Sequence, residues 1–236
     1  MQSESQMTSS AAMLREPAED AADGLVLVVD DDDDVRRALS GLFRSVGLAS
    51  LAFASGEELL AHGFPDQPTC IVLDVRLRGA SGLDLQSHLN LAGRTASIVF
   101  ITGYGDVPMT VAAMKAGAVN FIAKPFREQD LLDAVNEALQ RDRLRRQARS
   151  QTQQLRERFG ALTGREQEVM KLLVHGLMNK EVADELGISQ ATVKIYRGQA
   201  MRKMAARTFA DLILMAQALG LVTPRARRAG ATAAGD

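Results

Sequence analysis

Three carboxylates, one hydroxyl and one ammonium stand at the ends of short apolar runs in this chain of 236 residues. Asp30 and Asp31 follow LVLVV, Asp74 follows CIVL, Thr102 follows SIVFI, and Lys124-Pro125 comes just after VNFI. In an open parallel sheet, functional groups collect beyond the carboxyl ends of the strands. These five side chains would therefore meet at one edge, however far apart they lie in sequence. Clustered carboxylates repel one another unless a cation intervenes, and a set of hard oxygen ligands favours Mg²⁺ with several retained waters. A carboxylate beside such a metal can attack a phosphoryl group and become an acyl phosphate. Transfer of that kind depends on positioning and charge neutralisation, which the metal, Lys124 and the Thr102 hydroxyl supply together.

The elements that must position these groups alternate. Between residues 25 and 140, apolar runs at 25–29, 48–53, 70–73, 97–101 and 119–122 read as strands. Amphipathic segments at 33–46, 55–62, 82–92, 106–116 and 127–143 read as helices. That is the pattern of a βα-repeating α/β domain with a five-stranded parallel sheet. Within the run of five aspartates at 30–34, Asp32, Asp33 and Asp34 read as a solvated first helical turn, where acidic residues are favoured.

Charge divides the chain. Residues 1–138 hold 10 Lys+Arg against 20 Asp+Glu, and residues 139–236 hold 18 against 9, so the two parts carry −10 and +9. Such an asymmetry suits either an acidic module that handles cations beside a basic module that meets a polyanion, with nucleic acid the leading candidate, or a solvated charge imbalance without a partner. Residues 141–160 carry seven arginines and few apolar side chains, and read as an exposed helical extension or linker. The N-terminal residues 1–23 show no basic region followed by an apolar core, so they read as a disordered tail and not as a signal peptide. Residues 223–236 have little to bury and read as a second disordered tail. The lone Cys70 excludes a disulfide framework, and no apolar stretch approaches the roughly 20 residues that span a bilayer. A cytoplasmic protein without a membrane partner is expected.

The strings VLVVDDDDDVRRAL, CIVLDVRLRGASGLDL and IVFITGYGDVPMTVAAMKAGAVNFIAKPF resemble the receiver domain of bacterial response regulators, over residues 24–140. The resemblance implies a CheY-like doubly wound sheet of order 2-1-3-4-5, with Asp74 as phosphoacceptor. It implies Mg²⁺ held by Asp31, by Asp30 through water, by Asp74 and by the backbone carbonyl of Arg76. Thr102 and Phe121 would be the switch hydroxyl and the rotating aromatic, although an aromatic on a short strand is also an ordinary core residue. The Lys124-Pro125 bond would be cis. One departure is Arg78, four residues after Asp74, where the family usually carries proline; it frees a backbone dihedral and adds a charge beside the site.

From residue 161 the signals are helical only. Thr163 and Glu166 have capping-box spacing ahead of Val169, Leu172 and Leu173; Asn179 is a candidate cap for a second helix ending near Leu186; and Gly187-Ile188-Ser189 forms the turn into a third helix from Gln190 to Met204. Helix, short turn and basic helix form a helix-turn-helix. A helical wheel puts Val193, Ala200 and Met204 inward and Lys194, Ile195, Gly198, Gln199 and Arg202 outward. Lys194 and Ile195 suit base edges, Gly198 permits close approach, and Lys180, Thr192, Arg197 and Arg202 suit phosphates. Residues 161–222 resemble the LuxR-type helix-turn-helix of the NarL/FixJ class of regulators, and the receiver resembles its FixJ-like branch.

The combined resemblance implies a transcriptional regulator and not an enzyme. A sensor histidine kinase would phosphorylate Asp74, the chain would dimerise, partly through the apolar helix at 209–221, and double-stranded DNA would be bound, with RNA polymerase as a further partner. A phosphohydrolase using an aspartyl phosphate would need an acid two residues beyond the nucleophile, where Arg76 stands. A constitutive DNA-binding protein with a passive receiver is the other alternative, and Arg78 keeps it open.

Overall fold

The structure, a computed structural model, describes residues 24–79, 81–103 and 106–222. The two tails expected at 1–23 and 223–236 lie outside these residues. Contacts divide the chain into two compact units that meet in sequence between Arg146 and Gln147.

In the first unit the strands are β1 (Leu25–Val29), β2 (Ala49–Phe53), β3 (Thr69–Asp74), β4 (Ser97–Thr102) and β5 (Asn120–Ala123). They form one parallel sheet of order β2-β1-β3-β4-β5. The helices between them are α1 (Asp33–Ser45), α2 (Gly56–His62), α3 (Gly82–Leu91) and α4 (Val107–Lys115), with α5 (Glu128–Gly160) following β5. Every residue of β1, β3 and β4 is buried. Both faces of the sheet are covered, which is why these strands read as continuous apolar runs instead of alternating ones. Leu27, Val29, Leu73 and Phe100 meet Leu59 of α2, Leu85 of α3 and Ala113 of α4 on one face. Val26, Val28, Val72 and Ile101 meet Phe43 of α1 and Leu131 and Val135 of α5 on the other.

The strand ends differ slightly from the sequence reading: β3 and β4 run one residue further, so Asp74 and Thr102 are themselves the last strand residues. The helical extension expected at 141–160 is present as the later part of α5, which ends at Gly160. Asp142 is 2% exposed, accepts the Thr69 backbone N–H at 2.9 Å and pairs with Arg145 and Arg146. Arg146 also reaches Asp66 and the Pro65 carbonyl oxygen. Leu155 and Phe159 pack into the core of the second unit. Arginine counting does not reveal the buried Asp142, because a helix carrying many charges can still aim one carboxylate inward.

The second unit continues with α6 (Gly164–Val174), α7 (Asn179–Leu186), α8 (Gln190–Met204) and α9 (Phe209–Ala218). Thr163 and Glu166 complete the expected capping box. The expectation that Asn179 caps α7 is corrected: Met178 holds the cap position and Asn179 is the first helical residue. The Glu181 carboxylate accepts the Met178 N–H at 2.6 Å, so the helix start is secured from three residues downstream. Gly187 turns the chain at φ 64°, in the left-handed region, and Ser189 caps α8.

Candidate functional site

The sheet brings the carboxyl ends of β1, β3 and β5 together. Lys124 Nζ donates to Asp30 Oδ2 and to Asp74 Oδ2, each at 2.8 Å. Asp30 is fully buried, and Asp74 is 8% exposed. Each carboxylate keeps a second partner: the Asp32 N–H donates to Asp30 Oδ1 and the Arg76 N–H to Asp74 Oδ1, both at 2.9 Å. Burial pushes the Asp30 carboxyl above its ordinary pKa, against the lowering pull of Lys124 and of the Asp32 N–H. Burial also pulls the Lys124 ammonium down, but its two carboxylate partners outweigh that and hold it above the usual lysine range.

The backbone around these groups is fixed. The Lys124 N–H donates to the Thr102 carbonyl oxygen at 2.7 Å, and the Lys124-Pro125 peptide bond is cis, as the resemblance implies. Thr102 is buried. Phe121 is partly buried and packs against Phe100, with ring centroids 6.0 Å apart. Asp32 caps α1, and Asp33 and Asp34 pair with Arg36 and Arg37, as a solvated helix start should.

Asp31 is placed differently from its neighbour. Its carboxylate is 26% exposed and pairs with Arg78 Nε at 3.0 Å, so the side chain that departs from the family pattern lies against an expected metal ligand. Among the described residues no three acidic, histidine or cysteine side chains are grouped closely enough to hold a metal as they stand. The donors nevertheless suit Mg²⁺ in kind: they are carboxylate oxygens, and burial of Asp30 favours a further positive charge beside it.

Three contributors escaped the sequence reading. Arg36 Nη1 donates to the Asp30 carbonyl oxygen at 2.7 Å and so holds the β1–α1 turn. Gly82 opens α3 directly against β3, where an added Cβ would lie 2.3 Å from the Asp74 carbonyl oxygen. A glycine just inside a capped helix start, as in Ser81-Gly82-Leu83, was the available signal for that close approach. Asp142 is the third. The lone Cys70 is fully buried, and burial pushes its thiol up, so it supplies no nucleophile.

In the second unit α8 presents its two faces as the wheel implies. Val193, Ala200 and Met204 are fully buried, whereas Lys180, Lys194 and Arg202 are exposed and Ile195 is 59% exposed. Gly198 and Gln199 are half-buried, and the space where a Gly198 Cβ would stand is open. Thr192 shares a hydrogen bond with Ser189 at the helix start. Arg197 has a second attachment that the wheel does not show: its guanidinium stacks 4.6 Å from the centroid of the Phe209 ring.

Comparison with known proteins agrees with this division. Residues 26–136 match the response regulator receiver domain, and residues 160–216 match the bacterial regulatory proteins of the luxR family. Nodulation protein W of Bradyrhizobium diazoefficiens is 56% identical over 197 residues, spanning 84% of this chain and 87% of that one. The chain belongs to the NarL/FixJ-type response regulators. TodT of Pseudomonas putida is 42% identical across 83% of the chain and 86% of its own length. FixJ of Azorhizobium caulinodans is 41% identical across 83% of the chain and 93% of its own. Among solved structures, the response regulator StyR superposes with a TM-score of 0.74 at 48% identity, covering 83% of this chain and 99% of that one. Full-length FixJ from B. japonicum gives 0.50 at 33% identity, covering 85% and 98%. A receiver joined to a LuxR-type DNA-binding domain is the composition of a response-regulator transcription factor. No helix among the described residues is long and apolar enough to cross a membrane.

Proposed function

We propose that this response regulator accepts a phosphoryl group on Asp74 from the phosphohistidine of a sensor kinase and thereby controls DNA binding by α8. The observation that carries this reading is the bridge from Lys124 Nζ to both Asp30 and Asp74 at 2.8 Å. It joins the nucleophile, an acidic neighbour and a cation at one sheet edge. Asp74 Oδ attacks phosphorus, the P–N bond to the imidazole breaks, and Lys124 partners the negative charge that builds on the phosphoryl oxygens. Asp30, Asp31, Asp74 and the Arg76 carbonyl oxygen are the groups that would hold Mg²⁺. When bound, the metal neutralises the phosphoryl oxygens and orients them for in-line transfer.

The new charge, about −1.5 to −2 by analogy with other phosphorylated side chains, draws the Thr102 hydroxyl toward the phosphoryl group. Phe121 follows inward, and the surface of α4, β5 and α5 changes. Val107, Val111 and Met114 expose apolar surface on α4, and Leu214 does so on α9; these are the proposed dimer contacts. Two α8 helices on adjacent half-sites then bind more tightly through effective concentration. Lys194, Ile195, Gly198 and Gln199 face the bases, and Lys180, Thr192, Arg197 and Arg202 face the phosphates. The protein acts in the cytoplasm as a regulator and not as an enzyme, with RNA polymerase as the downstream partner.

The test is DNA binding on a selected operator pool at fixed salt, with Mg²⁺, comparing wild type with Asp74→Asn, with and without a small phosphodonor. Tighter binding and dimer formation are expected only for phosphodonor-treated wild type. Equal binding by all four samples would overturn the role of Asp74 and leave a DNA-binding protein with a passive receiver.

A further inference from the structure

The loop after β3 is closed at its base by an antiparallel bridge between Arg76 and Ser81 and by the Gly82 N–H donating to the Val75 carbonyl oxygen at 2.9 Å. Gly79, beside Arg78, has φ 99°, a conformation that favours glycine. Arg78 therefore stands beyond a pinned base, with its side chain 86% exposed. Its Nε nevertheless pairs with Asp31, 47 residues away in sequence, at 3.0 Å.

This pair changes the electrostatics of the site. Lys124 is shared by Asp30 and Asp74, and Arg36 is engaged by Asp33 and by the Asp30 carbonyl oxygen. Of the three site carboxylates, Asp31 alone is not bonded to Lys124, and Arg78 supplies its counter-charge. A divalent cation that takes Asp31 as an oxygen ligand has to displace it.

We propose that Arg78 is a built-in competitor for the metal: it occupies Asp31 while the site is without a divalent cation, and so sets the Mg²⁺ concentration at which the receiver becomes competent for phosphoryl transfer. The inference rests on the reading of Asp31 as a metal ligand. An exposed ion pair is worth up to about 1 kcal/mol, or roughly fivefold in an equilibrium. Repulsion between a displaced but nearby guanidinium and a doubly charged ion adds to that at low salt.

The experiment is calorimetric titration of Mg²⁺ alone into the full chain, for wild type, Arg78→Ala, Arg78→Gln, Arg78→Lys and Asp31→Asn. At low ionic strength Arg78→Ala and Arg78→Gln should bind Mg²⁺ about three- to tenfold more tightly than wild type, with Arg78→Lys close to wild type. The gap should narrow at high salt, where the Debye length falls toward about 3 Å. Equal or weaker Mg²⁺ binding by both neutral variants would overturn the proposal while leaving the metal site intact. Saturable binding that is unaffected by Asp31→Asn would show that Asp31 is not a ligand, and would overturn both the proposal and that part of the site. No binding by wild type or any variant would sink the Mg²⁺ reading itself, and the competition with it.

Discussion

Replacing Lys124 with methionine tests the core of the site most directly, because it keeps most of the side-chain bulk and removes the charge together with its N–H donors. Lys124 makes two charge-assisted hydrogen bonds, to a fully buried Asp30 and to an Asp74 whose side chain is 12% exposed. Breaking a buried ion pair by deleting one partner costs about 3–5 kcal/mol, because it leaves an uncompensated charge. Three effects reduce that here. The lysine is itself 23% exposed, its own desolvation is relieved on deletion, and Asp30 can take up a proton. We therefore expect the receiver to lose about 2 kcal/mol near pH 8 in the absence of divalent metal. The pH dependence follows from Asp30. Its pKa is already raised by burial, and Lys124 is the main group pulling it back down, so Lys124→Met raises it further. A carboxyl whose folded-state pKa lies above its unfolded value stabilises the fold at low pH, and that contribution is lost as pH rises through the folded value. The deficit of the variant should therefore shrink as pH falls from about 8 toward 5. Hydrogen exchange of the β1 and β3 amides under a urea gradient isolates the receiver from the second unit. A loss that stays constant or grows on acidification would refute the argument, as would a loss under about 0.5 kcal/mol near pH 8, the size expected of an ordinary surface substitution.

Gly82→Ala should destabilise the receiver by about 1–3 kcal/mol, because its Cβ would stand 2.3 Å from the Asp74 carbonyl oxygen and either α3 or β3 must move. Thermal unfolding measures the loss, and a phosphorylation assay should show slower uptake at Asp74; an unchanged midpoint would mean that the helix start yields freely. In the second unit, the Lys203 ammonium above all, and then the Thr163 N–H, hold the Glu166 carboxyl below its ordinary pKa. A depressed carboxylate contributes stability above the usual glutamate range and loses it as pH falls through its folded value. Glu166→Gln should therefore flatten the acid limb of stability against pH, read by exchange of the α6 amides. On DNA, Lys194→Ala should cost about 1–3 kcal/mol and relax base preference at one position. Arg202→Ala should weaken all sequences alike and lower the salt slope by about 1. Identical sequence profiles for the two variants would reject the division into base-facing and phosphate-facing residues. Arg197→Ala should affect folding as well as binding, losing about 0.5–1 kcal/mol of unit stability, because its guanidinium covers Phe209.

Much of this protein was legible without coordinates. Five apolar runs separated by amphipathic segments admit few arrangements besides a parallel sheet, and in such a sheet the residues ending each strand must share one edge. Asp30, Asp74, Thr102 and Lys124 therefore had to end at that edge. The helix-turn-helix was equally readable, because caps at Thr163 and Ser189 and a left-handed glycine at 187 are local signals, and the 3.6-residue period identifies the inward face. The tertiary structure decided what local signals cannot encode: which of several nearby charges pairs with which. Lys124 chose Asp30 and Asp74, 94 and 50 residues away, and Arg78 took Asp31. Thr69 and Asp142, 73 residues apart, tied the start of β3 to α5 through a carboxylate that composition alone does not mark as buried. Strand order, side-chain direction and burial select these partners. The sequence specified which groups reach the edge, and only the packed chain set the distances that decide how their charges are shared.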